Sequence, residues 1–280
     1  MSEQNLERIL RDLRPKLHRF CSRMVGSVLD GEDLVQETLA EAFIHLSSLR
    51  DATRLEPWLF RIAHHTCVDF IRRERRQIVL DAPAEPITEP SEPIDEPLAM
   101  FVGILPPKER AAVLLKDVLD YHLDEVAEII ESTLGGVKAA LHRGRGKLRG
   151  ADAEAPPPVR LDVSQRALLD AYVDRFTRRD WDGLRALIQA DARLELVGVA
   201  AGTMRDVGKN YFSNYLGLPV DWRFTVQAID GEVIAVHERR IDGDWRAWSA
   251  IRLWWQDGKV ARIRDYVHVD YLLTQALVFP

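Results

Sequence analysis

Prolines at positions 83, 86, 90, 93 and 97 punctuate the stretch LDAPAEPITEPSEPIDEP, residues 80–97, whose charged side chains are all acidic. Proline brings no amide proton to a helix or a central strand, and the carboxylates repel one another, so an extended tether is expected here. A second break, GADAEAPPPVR at 150–160, carries three consecutive prolines. Two such breaks in 280 residues divide the chain into three folded parts, 1–77, 98–150 and 160–280, with linkers at 78–97 and 151–159.

The net charge of −6 is unevenly distributed. Residues 78–97 hold six acidic and no basic side chains, against 13 basic and 12 acidic in 1–77 and 8 and 7 in 98–150. The acidity is largely the linker's, so it does not argue against a polyanionic partner for the rest. Indeed GGVKAALHRGRGKLRG, residues 135–150, carries five Lys/Arg and no acid. No run approaches the ~20 apolar residues of a membrane span. MSEQNLERILRDLRPKL mixes charges without an apolar signal core, so a cytoplasmic protein with no membrane partner is expected. Cys21 and Cys67 make no disulfide framework and read as small core residues. The spacing of His64, His65 and Cys67 completes no zinc pattern, and neither metal nor cofactor is expected.

Residues 1–77 read as helical. Leu6, Ile9, Leu10, Leu13 and Leu17 form one stripe; DGEDLVQETLAEAFIHL begins with a cap-like Asp30 and early acids; EPWLFRIAHHTCVDFIRRERR has Pro57 in its first turn. In 98–150, PPKERAAVLLKDV, LDEVAEII and LGGVKAALHRGRGKLR read as three helices, the last two joined by a tight connection, which is the helix-turn-helix pattern. Gly135 and Gly136 are expected at the turn and helix start, and Gly144 and Gly146 weaken the helix they sit in. Residues 160–280 begin with two helices and continue with strand-like runs, several joined by Asp-Gly, so an α+β fold with an antiparallel, curved sheet is expected.

DGEDLVQETLAEAF, WLFRIAHHTCVDFIRRERR and LPPKERAAVLLKDVLDYHLDEVAEIIESTLGGVKAALHRGRGKL together resemble regions 2 and 4 of an extracytoplasmic-function sigma factor of the sigma-70 family. Residues 160–280 resemble a SnoaL-like domain, a cone-shaped α+β fold. The fold class implied is multidomain: two all-α modules, a region 2 bundle and a region 4 helix-turn-helix, followed by that α+β domain. The resemblance implies that Asp33, Leu34, Gln36, Glu37 and Phe43 dock on the β′ subunit of core RNA polymerase, with β the other core contact. It implies that Arg61, His65, Asp69, Arg72, Arg73, Arg75 and Arg76 open and hold the −10 element of promoter DNA. Ser132, Lys138, His142, Arg143 and Arg145 would read the −35 element. His64-His65 stands where many relatives carry Asn, which bears on base preference.

Physical chemistry supports that division. Strand opening needs cations for phosphates and planar groups for unstacked bases, and duplex reading needs a helix in the major groove. In the third part, strand alternation places Trp222, Phe224 and Val226 on one face, and His237 and Arg239 on one face of the next strand. Trp222, His237, Trp248, Asp265 and His268 are the candidate lining of a small-molecule pocket, weighed against a plain aromatic core. The expected function is a non-enzymatic sigma factor regulated by its own C-terminal domain. Two rivals remain: a ligand-sensing helix-turn-helix regulator, and a cyclase or isomerase carrying a DNA-binding appendage.

Overall fold

The computed structural model describes residues 3–49, 51–77, 87–89, 104–149, 159–161, 163–206, 211–230 and 232–273. The chain forms two compact units, one from residues 1–82 with 95–155 and one from 83–94 with 156–280.

In the first unit, α1 (Glu3–Val25), α2 (Val28–His45) and α3 (Leu55–Gln77) pack together. The cap of α2 is Ser27, not Asp30: its hydroxyl accepts from the Asp30 amide at 3.1 Å, which places Asp30 inside the first turn. Gly31 lets α2 cross α1 closely, since a Cβ there would stand 2.6 Å from the Ser22 Cα. Then α4 (Pro107–Val113) runs into a π turn (Leu114–Val118), followed by α5 (Leu123–Ile129) and α6 (Leu134–Arg149). Gly135 and Gly136 lie within the first turn of α6. Gly144 is a packing contact: a Cβ there would meet Val113 Cγ2 at 2.9 Å, so its lack of side chain brings α6 down onto α4. The helices of 1–77 and 98–150 share one apolar core. Leu17, Phe20, Leu59 and Phe60 join Leu105, Leu115, Val126 and Leu141 in a continuous cluster.

In the second unit, α7 (Val163–Thr177) and α8 (Trp181–Leu187) precede β3 (Ile188–Leu196) and β4 (Ala200–Thr203); a short α9 (Ser213–Leu216) leads into β5 (Trp222–Ile229), β6 (Glu232–Ile241), β7 (Asp244–Gln256) and β8 (Lys259–Asp265). The sheet order is β4-β3-β8-β7-β6-β5, with β3 and β8 parallel and the other neighbours antiparallel. This is the α+β architecture expected for residues 160–280. Asp242-Gly243 and Asp257-Gly258 take positive φ at both positions (53° and 93°, 54° and 72°), as two-residue hairpin turns require. Register shifts at His237/Glu238 and Trp254/Trp255 mark bulges, which bend the sheet. Part of the acidic linker is itself ordered: β1 (Ile87–Glu89) pairs antiparallel with β2 (Val159–Leu161). The pairing falls between prolines 86 and 90, which leaves three amides free to bond. The remaining linker residues lie outside the described ones.

Candidate functional site

On α2 the residues Val28, Leu29, Leu34, Val35, Thr38 and Ala42 face inward, which turns Glu37, Glu41, Phe43 and Ile44 to solvent. Phe43 is 71% and Ile44 74% exposed. Two neighbouring large apolar side chains are thus held open beside the Glu37 and Glu41 carboxylates. Of the expected docking set, Glu37 and Phe43 are exposed, Asp33 is half-buried and Leu34 lies in the core. Gln36 donates to the buried Glu32 at 2.8 Å, and Arg14 donates to the same carboxylate at 2.6 Å. Ile44 was not singled out by sequence; its signal was the apolar pair on a helix face otherwise charged.

Beside this surface, α2 and α3 line a groove of about 840 Å³ with Glu37, Glu41, His64, His65, Asp69, Arg72 and Arg73 among its walls. The structure thus brings one expected docking residue, Glu37, together with four of the residues expected at the −10 element. Arg73 approaches Glu37 at 3.9 Å, and Arg72 pairs with Asp69 at 3.2 Å. Arg61 is half-buried on the same helix; Arg75 and Arg76 lie in its last turn, where side chains are outside the described residues. Burial, reinforced by the neighbouring His65, lowers the His64 pKa to about 4, so this ring enters the groove neutral.

On α6 the expected −35 residues divide. Lys138 and His142 are exposed, and among the described residues they form no ion pair. Arg143 Nε donates to Glu109 at 2.8 Å, Lys147 donates to the other oxygen of Glu109 at 2.7 Å, and Arg145 grips Asp117 at 2.9 and 2.5 Å. The Lys147 bond, then the Arg143 bond, hold the Glu109 carboxyl below its ordinary range against the cost of burial. Each of these arginines still has about half its side chain exposed. Ser132 lies half-buried ahead of α6, its amide bonded to the Ala127 carbonyl at 2.8 Å.

In the second unit, Trp222 pairs with Arg239 and Phe224 with His237 across β5 and β6, as the alternation requires. His237 is wholly buried; its ring stacks on Phe224 with centroids 5.2 Å apart, its Nδ1 lies 3.2 Å from Ser249 Oγ, and among the described residues its Nε2 has no hydrogen-bond partner. Burial, then the nearby Arg239 charge, lowers its pKa to about 3. Asp265 is also wholly buried. It accepts from the Tyr215 hydroxyl at 2.6 Å and the Val267 amide at 2.9 Å. Burial nevertheless raises its pKa to about 6, because these bonds offset desolvation only partly. Tyr215 stands between the two groups, its ring edge-on to His237 at 5.4 Å. Tyr172 and Tyr211, whose hydroxyls lie 3.5 Å apart, are buried with it. Sequence reading passed over these tyrosines because helix and loop positions give no strand register. Trp248 is half-buried beneath the Arg239 guanidinium, 4.2 Å from its ring centroid, and His268 is exposed, against Asn214 at 3.3 Å.

The family profile for sigma-70 region 2 matches residues 9–77, and that for sigma-70, region 4 matches residues 96–148. These are the helices of the first unit, with the exposed α2 face and the cationic α6. Among relatives, the ECF RNA polymerase sigma factor SigG of Mycobacterium tuberculosis is 31% identical over 217 residues, 65% of this chain and 59% of that protein. SigW of Bacillus subtilis, an ECF RNA polymerase sigma factor, is 30% identical over 154 residues, 49% of this chain and 82% of that protein. The chain belongs to the extracytoplasmic-function sigma factors of the sigma-70 family. It spans 59% of the mycobacterial SigG. The crystal structure of the M. tuberculosis extracytoplasmic-function sigma factor SigJ aligns over 93% of this chain and 95% of its own at 17% identity and a TM-score of 0.39.

Proposed function

We propose that the chain binds core RNA polymerase, directs it to a promoter and assists strand opening, with no reaction of its own. The observation that carries this is the pairing, in one family-matched helical unit, of an exposed docking face with cationic helices. Glu37, Phe43 and Ile44 on α2 are open to a protein partner. Arg61, His65, Arg72 and Arg73 on α3 would meet the −10 element, and Lys138 and His142 on α6 the −35 element. Arg143 and Arg145 would reach DNA with their exposed ends or after releasing Glu109 and Asp117. Transcription in vitro with core polymerase on a promoter library tests the proposal. Specific initiation is expected from the full chain and is expected to be lost with Glu37→Arg and Phe43→Ala combined. No promoter-specific transcript from the parent would refute it.

The C-terminal unit is proposed as the regulatory part, and its buried polar centre favours a small-molecule ligand. Among the described residues His237 Nε2 has no hydrogen-bond partner, although the rings of Tyr215, Trp222 and Phe224 surround it, and burial pushes the Asp265 pKa up to about 6. A neutral ligand with one hydroxyl or carbonyl fits this chemistry better than an anion. Deleting residues 160–280 should change transcript yield several-fold.

A further inference from the structure

Two stripes of cations run along α6, and they are held in different ways. Lys138, His142 and Arg145 stand at i, i+4 and i+7, so they share one side of the helix; Arg143 and Lys147 stand at i and i+4 on another. Arg143 and Arg145, two residues apart, project about 200° apart around the axis. Between the stripes Gly135, Ala139 and Gly146 are exposed, and a Cβ at Gly146 would have nothing within 4 Å. The backbone can therefore come close to whatever lies along this face.

The acids that hold the two stripes differ. Glu109 takes two cations, Arg143 through Nε alone and Lys147 through its other oxygen. Two cations on one carboxylate leave this trio a net charge of +1. Asp117 takes a single cation: Arg145 Nε and Nη2 donate to its two oxygens at 2.9 and 2.5 Å. It stands in the π turn, where the Leu119 amide reaches back to the Leu114 carbonyl at 3.0 Å. The Arg145–Asp117 pair is neutral, and its two parallel bonds fix the plane of the guanidinium along one edge. A guanidinium carries five N–H donors, so this hold leaves the outer fork, one hydrogen each on Nη1 and Nη2, available. Among the described residues nothing else bonds Arg145, and 50% of its side chain is exposed.

Net charge separates the tasks. Phosphate is drawn by net positive charge, which the trio keeps and the pair lacks. A base edge is neutral and rewards orientation instead. Guanine presents O6 and N7 side by side in the major groove, two acceptors that match a fixed fork.

Building on the sigma-factor reading above, we propose that Arg145 reads one guanine of the −35 element and that Asp117 is the positioning residue that aims it. Arg143 and Lys147, on the other stripe, grip the phosphate backbone without base preference.

The test uses the full-length chain with core polymerase and a promoter library randomised across the −35 element. The readouts are the base preference of the bound promoters at each position and the salt dependence of their affinity. Arg145→Lys keeps the charge and loses the fork, so it should cut the preference for guanine at one position about tenfold or more. Asp117→Asn releases the guanidinium plane and gives the site a net positive charge. It should lower the same preference about tenfold, while binding to unrelated sequence tightens and the salt slope steepens by up to about 1. A merely structural residue would weaken both kinds of binding together. Arg143→Ala should weaken all sequences alike. Parental preference at every position in Arg145→Lys would overturn the proposal, and parental preference in Asp117→Asn would overturn the part given to Asp117. If Asp117→Asn fails to fold, Asp117→Glu decides: it keeps the charge and displaces the carboxylate by one methylene, so the guanine preference should fall at a parental salt slope. A parent that yields no promoter-specific transcript would instead refute the sigma-factor reading itself, whereas a parent that initiates beside an unaltered Arg145→Lys sinks this proposal alone.

Discussion

Replacing Asp265 by Asn should remove one buried carboxyl's share of the pH dependence of the second unit's stability, seen as a difference between the two proteins that changes between pH 4 and pH 8. Burial raises this carboxyl from 3.8 to about 6 against the bonds from Tyr215, Tyr211 and Val267. A rise of that size corresponds to about 3 kcal/mol. The folded state holds the proton more tightly than the unfolded chain, so the carboxyl's stabilising contribution is complete below pH 3.8. It declines as the pH rises and is lost above about 6. Asn preserves the neutral shape: its carbonyl accepts from the Val267 amide, and its amide faces the Tyr215 hydroxyl, which can turn to accept. The two proteins should match near pH 4. Above pH 6 the Asn variant should be the more stable by about 3 kcal/mol, roughly 10 °C in melting midpoint for a unit of this size. His237 titrates in the opposite sense, charging as the pH falls, but it is present in both proteins and cancels in the difference. Six of the seven tryptophans lie in residues 160–280, so tryptophan fluorescence during thermal melting reports this unit. A stability difference that stays constant from pH 4 to pH 8 would refute the reasoning, as would an Asn variant less stable than the parent at pH 8.

Glu109→Gln should free Arg143 and Lys147 for phosphate contact. Duplex binding should then tighten at low salt, and the slope of log affinity against log salt should steepen by up to about 2; a parental slope would count against this hold of Glu109 on Arg143 and Lys147. His18, whose ring bonds the Val28 carbonyl at 3.0 Å, has its pKa lowered by burial to about 4. A base held neutral stabilises the fold above its unfolded pKa of 6.5, and the contribution is lost as the pH falls toward 4, about 3 kcal/mol in all. Hydrogen exchange of α1 and α2 amides should report that loss, and His18→Gln should blunt it; an unchanged pH slope in the variant would contradict the assignment.

Local chemistry in the sequence determined the helices of the first unit, the meander of the second and the Asp-Gly turns. Each follows from periodicity, from proline's missing amide, or from the ease with which Asp and Gly adopt positive φ. The family resemblance was legible for the same reason, since its motifs are continuous along single helices. Tertiary packing decided the rest. Gly144 looked like a weak point in a helix, and it is the close contact that seats α6 on α4. Arg143 and Arg145 carried a simple charge signal, yet the acids that hold them, Glu109 and Asp117, lie 34 and 28 residues away. Tyr121 gave no hint of its surroundings, because Phe60, Lys16 and Glu56 converge on it from 1–77, far back in the chain. Asp265 and His237 were legible as candidates, but only the fold buries both and places Tyr215 between them. A charge or a ring is written in the sequence; its partner, and so its protonation and its exposure, comes from contacts between residues far apart in the chain.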